Sequence, residues 1–150
     1  MQRLKTRPQF QAVLKGSIVA KTEHFALHRN RLDAGAAAQV RGALPGASPG
    51  QTCCAPEVSV AAGLFPVEDV WMGAMVPKRW AKRAVTRNAI KRQIYFVSAD
   101  FVSRYPKAAF LVRLRREFSR REFPSATSVR LKEAVRTEVL ALMQAGPGLT

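Results

Sequence analysis

Apolar residues recur at helical spacing in three stretches of the chain, and they alternate or run together in three others. Thr6 and Gln9 stand at capping-box spacing, Pro8 suits a first turn, and Phe10, Val13 and Leu14 follow on one face before Gly16, which predicts a short amphipathic helix. From His24 to Arg31 the pattern alternates, with Phe25, Leu27 and Arg29 on one side and Ala26, His28 and Asn30 on the other, as in a half-buried strand. Val70 to Val76 is an apolar run closed by Pro77, which cannot donate to a sheet ladder; it predicts a second strand, antiparallel to the first. Helical periodicity returns from about Arg83 to Ser103. Ala108 to Arg115 then alternates, with Phe110, Val112 and Leu114 on one side. A last helix, capped by Ser125 or Thr127, carries Leu131, Val135, Val139 and Leu142 along one face and ends at Gly146 and Pro147. The order αββαβα predicts an α+β fold, a small two-layer sandwich in which helices pack the sheet.

Composition adds a partner class. At 150 residues with 47% apolar content, one domain spanning 1–150 is expected. The stretch 34–67 interrupts it: 9 Ala, 5 Gly and 4 Pro with only Arg41 and Glu57 charged read as a flexible insertion, and a loose tail is expected after about residue 145. The formal charge of +15 therefore belongs to the folded remainder, and a polyanion is the first partner to consider. Arg3, Lys5 and Arg7 precede no apolar run, so neither a secretory signal nor a membrane span is expected at the N-terminus, and the cytoplasm is the expected location. Cys53 and Cys54 are adjacent, a spacing that suits neither an unstrained disulfide nor zinc, and read as free thiols.

The charge is concentrated in Pro77 to Arg92, PKRWAKRAVTRNAIKR, with seven basic residues and no acid in 16 positions. At 100° per residue, Arg87, Asn88, Lys91, Arg92 and Tyr95 share one half of a helix, and Ile90, Ile94, Val97 and Phe101 the other. A merely solvated face would interleave Glu with Lys. Here Lys78 and Lys82, and Arg87 and Lys91, set like charges four apart, which costs a few tenths of a kcal/mol each and points to external anions.

This segment resembles the signature of the bacterial ribonuclease P protein family, a basic strand-to-helix turn leading into Arg-Asn-Arg, an apolar residue and Lys-Arg. The matching residues are Lys78, Arg79, Lys82, Arg83, Arg87, Asn88, Ile90, Lys91 and Arg92. Arg3, Leu4 and Phe10 to Leu14 are similar to the family's first helix, and Phe25 to Leu27 to its first strand. Ala89 and Tyr95 depart from the pattern at positions where a basic residue is common, which shifts weight onto Arg83 or Arg92.

The resemblance implies a left-handed βαβ crossover around the basic helix, against the general right-handed rule. It also implies an RNA-binding subunit that assists a catalytic RNA in removing the 5′ leader from precursor tRNA. The RNA and substrate would then hold the Mg²⁺, and the protein would have no catalytic residue and no metal site. Lys78, Arg79, Lys82, Arg83, Arg87, Asn88, Lys91 and Arg92 would contact the catalytic RNA. Arg3, Lys5, Phe10, Phe25 and His28 would border a cleft for the precursor tRNA leader, with Phe10 and Phe25 as stacking platforms. The residues themselves agree on the chemistry: His24 and His28 would lie roughly 13 Å apart on a strand, and the acids are scattered, so no acid–base or metal pair is evident. Trp80 is the better tryptophan for RNA contact and Trp71 for packing, while Arg113, Arg115 and Arg116 read as lining a sheet end or surface rather than a specific site. The alternative is a basic ribosome-associated or DNA-binding protein without a processing role. A helix-turn-helix reader, though, would need a helix where Pro77 and the apolar strand stand.

Overall fold

The computed structural model describes residues 1–32, 64–125 and 128–146. Cys53, Cys54, Thr127, the tail from Pro147 and all but the last four residues of the predicted insertion lie outside them. Among the described residues the elements are β1 (Gln2–Arg3), α1 (Arg7–Leu14), β2 (Ser17–Lys21), β3 (Phe25–Asn30), β4 (Trp71–Met75), α2 (Ala84–Phe101), β5 (Ala109–Leu114) and α3 (Val129–Gln144). The α+β class and all three predicted helices hold. Two strands were not anticipated. β1 has two residues, too few to show a period. β2 is an edge strand whose register slips between Ile18 and Ala20, so its alternation is broken.

The sheet order is β1-β4-β5-β3-β2. β4 runs opposite in direction to β3, as expected, but it does not pair with it: β5 lies between, antiparallel to β3 and parallel to β4. The helix α2 is therefore the crossover of a parallel β4–α2–β5 unit joining adjacent strands. Local chemistry agrees with these bounds. Gln9 Oε1 accepts from the backbone N–H of Lys5 and Thr6 ahead of α1. α3 is capped by Ser128, one residue beyond the predicted Thr127, its hydroxyl accepting from the Leu131 N–H at 3.2 Å.

Strand alternation sends side chains to two separate cores, which makes three layers where two were expected. On one face Phe25, Leu27, Met72, Phe110, Val112 and Leu114 pack beneath α2 and α3, against Ile90, Ile94, Leu131, Val135 and Leu142. On the other, Leu4, Val13, Trp71, Ala109 and Leu111 form a smaller cluster under α1, with Phe10 and Leu14 against it. Helix α1 packs chiefly on β3 and β5.

The turn from α1 into β2 needs a residue without a side chain. A Cβ on Gly16 would collide with the backbone carbonyl of Arg29, which cannot swing away. Gly16→Ala is expected to lower unfolding stability by about 1–3 kcal/mol, read from the urea midpoint; an unchanged midpoint would show that β2 and β3 can part at no cost.

Candidate nucleic-acid interface

The basic segment begins as a turn and ends as a helix. The backbone N–H groups of Trp80 and Ala81 both donate to the Pro77 carbonyl, and buried Ala81 anchors the turn in the main core. Arg87, one turn into α2, reaches back: its Nη1 donates to the carbonyls of Ala81 at 3.0 Å and Lys82 at 2.8 Å. Arg87 thus fixes the shape of the turn, a role the sequence reading missed because the bond needs the folded turn. Lys78, Arg79, Lys82, Arg83, Asn88 and Arg92 are exposed, and Lys91 is half-buried. Opposite them Ile90, Ile94, Val97 and Phe101 are buried, as the helical wheel predicts.

Electrostatically this surface is open. The ion pairs between side chains among the described residues are His24–Glu138 and Arg116–Glu23, and neither uses a residue of Pro77 to Arg92. Where Tyr95 replaces a basic residue, a cation returns from elsewhere. The Arg3 guanidinium lies 4.4 Å from the Tyr95 ring centroid. Ala89 is 9% exposed and belongs to no open surface.

The cleft residues are rearranged. Phe25 is 0% exposed, in the main core beneath α2 and α3, on the opposite sheet face from Phe10, and cannot be a stacking platform. The reason is its parity in β3, which it shares with Leu27. Arg3 also leaves the cleft: it pairs in register with Met72, whose face is the α2 side, while Leu4 takes the α1 side. Lys5 is exposed just ahead of α1, and Phe10 is half-buried against the smaller core. His24 lies in the bend before β3, not on it, so it does not share a face with His28. Its Nδ1 meets Glu138 at 2.9 Å, and its ring stacks on Phe118 at 4.2 Å.

His28 keeps its place on the α1 face, and there the structure adds partners. It borders a cavity of about 180 Å³ with Ala26, Arg79, Trp80, Arg113 and Arg115. Arg113 sits opposite Ala26 and shares the face of Leu111; alternation in Ala108 to Arg115 already carried that signal. His28 Nδ1, Trp80 Nε1 and Arg113 Nε are buried without a hydrogen-bond partner. Burial, then Arg113 and Lys21, hold the His28 pKa below its ordinary 6.5. Trp71, by contrast, is packing, its indole N–H donating to the Val67 carbonyl at 2.9 Å.

No three His, Cys, Asp or Glu side chains converge among the described residues. Nor is any helix among them long and apolar enough to cross a membrane.

The sequence model of the family described as Ribonuclease P matches residues 1–137. No curated protein matches the chain in sequence. Among solved structures, the chain is similar to the Staphylococcus aureus RNase P protein with a TM-score of 0.61 and 15% identity, covering 100% of this chain and 99% of that one. A mutant of the S. aureus protein, described as having defective mRNA degradation activity, gives a TM-score of 0.55 at 15% identity, covering 95% and 85%.

The depressed pKa of His28 makes a pH prediction. The unfolded chain binds this proton near pH 6.5 and the folded chain only below it, so unfolding stability falls as pH drops beneath about 6.5. In urea titrations at pH 7.5 and 5.5, His28→Gln should lose less stability on acidification than the unaltered chain. Equal losses would remove His28 from the account.

Proposed function

Since the chain belongs to the ribonuclease P family and is a protein subunit of that tRNA-processing endoribonuclease, we propose that it grips the catalytic RNA with its basic turn and helix while the α1 face of its sheet takes the 5′ leader of precursor tRNA. The observation that carries the first half is the unpaired charge. Seven cations from Lys78 to Arg92 stand on the turn and on the first part of α2, a helix held down by its apolar face, and no carboxylate among the described residues neutralises them. Burying Ile90, Ile94, Val97 and Phe101 contributes about 1.5–3 kcal/mol each, against a few tenths for each like-charge pair, so the helix tolerates the repulsion and presents it to phosphates. Lys78, Arg79, Lys82, Arg83, Asn88, Lys91 and Arg92 are the RNA contacts in this reading. Arg87 acts with them by holding the turn, and a guanidinium suits phosphate because its planar fork can donate two hydrogen bonds.

For the leader, the cavity beside His28 replaces the cleft as first drawn. Arg79, Arg113 and Arg115 supply positive charge, and the unpartnered nitrogens of His28, Trp80 and Arg113 are groups that a bound nucleotide would satisfy once they turn toward it. Phe10 and Lys5 remain the α1 contribution. Mg²⁺ belongs to the RNA and substrate in this scheme, where it would activate the attacking water. This chain's residues bind and orient, and they screen the approach of two polyanions.

Replacing Lys91 and Arg92 with Ala should weaken binding to the catalytic RNA and reduce the magnitude of the salt slope by about 0.9 per lost duplex contact; a filter-binding titration with an unchanged slope would count against the assignment. Arg115→Ala should weaken leader-bearing precursor more than mature tRNA. A uniform loss would place Arg115 on the catalytic RNA instead.

A further inference from the structure

A second cavity, of about 80 Å³, opens on the other side of Trp80, where the basic turn and the start of α2 meet the loop from Glu117 to Ser125. That loop belongs to an internal repeat: Arg-Arg-Glu-Phe-Ser begins at Arg115, and Arg-Arg-Glu-Phe-Pro-Ser begins at Arg120. The repeat has a structural consequence. Phe118 and Phe123 both turn onto the main core, edge to face with ring centroids 5.7 Å apart, and this double anchor leaves Arg115, Arg116, Arg120 and Arg121 exposed. Arg116 pairs with Glu23, and Arg115 borders the cavity beside His28. Arg120 borders the second cavity, and Lys82 and Arg83 approach the same cavity from the turn.

Three cations from two separate segments thus surround one small space, with Glu117 as the acid on its rim, and none of the three is ion-paired among the described residues. Such an arrangement is relieved by an anion. The remaining walls are aromatic: Trp80, Phe118 and Phe123 are each half-buried and line the cavity. A simple anion would leave those faces unused, whereas a nucleotide uses both features, its base against the rings and its phosphate among the cations.

We propose that this cavity binds one unpaired nucleotide of the catalytic RNA, with Arg120 on its phosphate and Phe123 against its base. The inference rests on the reading of the basic turn as the grip on that RNA, since Lys82 and Arg83 serve both. The catalytic RNA is the source because the cavity continues from the turn on the α2–α3 side of the sheet, whereas the leader cavity lies on the α1 side.

The test compares Arg120→Glu with Lys107→Glu in the full chain. Both remove the same charge from exposed positions, and Lys107 lies before β5 while Arg120 lies beyond its other end. Binding to the catalytic RNA without tRNA should fall about tenfold more for Arg120→Glu than for the control. Phe123→Leu, which keeps an apolar side chain on the core, should lose at least about fivefold, and its melting curve checks that the loop still packs. Discrimination between leader-bearing and mature tRNA should be unchanged in both variants. The proposal is overturned if Arg120→Glu matches Lys107→Glu, or if its loss appears only with precursor tRNA. An unaltered chain that ignored the catalytic RNA would instead sink the underlying reading.

Discussion

The burial of one side of α2 outweighs the repulsion along the other, and the rest of the molecule is arranged around that imbalance. Ile90, Ile94, Val97 and Phe101 fasten the helix to the sheet and to α3, so no internal carboxylate has to hold it in place. The cations of Pro77 to Arg92 are left without carboxylate partners among the described residues as a result. A protein could offset such repulsion with its own glutamates; this one leaves the charge available, and in the proposed reading the polyanion that takes it is RNA.

Trp80 is the pivot of the interface. It stands in the basic turn, carries the Arg79 guanidinium 5.1 Å from its ring centroid, and borders cavities on both sides of the sheet. Trp80 follows the end of β4 at Met75 by five residues, and residues from both faces of the sheet line its two cavities. Arg87 keeps the turn in that shape through two carbonyls. The same segment can therefore present phosphate contacts along α2 and shape the sites at the sheet's end. That combination would let one small subunit engage a catalytic RNA and a leader at once.

The smaller core sets where the α1 face is closed and where it stays open. Leu4, Val13, Trp71, Ala109 and Leu111 consume the part under α1. Beyond them His28, Arg113 and Arg115 meet a cavity that α1 does not fill. Polar groups left without partners in such a place cost stability unless something satisfies them, which is why our proposal puts the leader here and not in the aromatic cleft.

The chain's local patterns determined its helices, the three strands with clear alternation or apolar runs, and the cationic face of α2, because period and charge are properties of neighbouring residues. They also carried the family signature from Lys78 to Arg92. Which sheet face each strand residue would use was legible only as parity: Phe25 and His28 were known to point apart, but not which side would be covered. Tertiary structure decided that by placing β5 between β3 and β4 and α1 opposite α2, so that Phe25 became core and His28 a cavity wall. It also brought Arg3 to Tyr95, Arg87 to the turn and Arg113 beside His28. Those contacts join residues far apart in sequence or depend on a folded turn, and no local period encodes them.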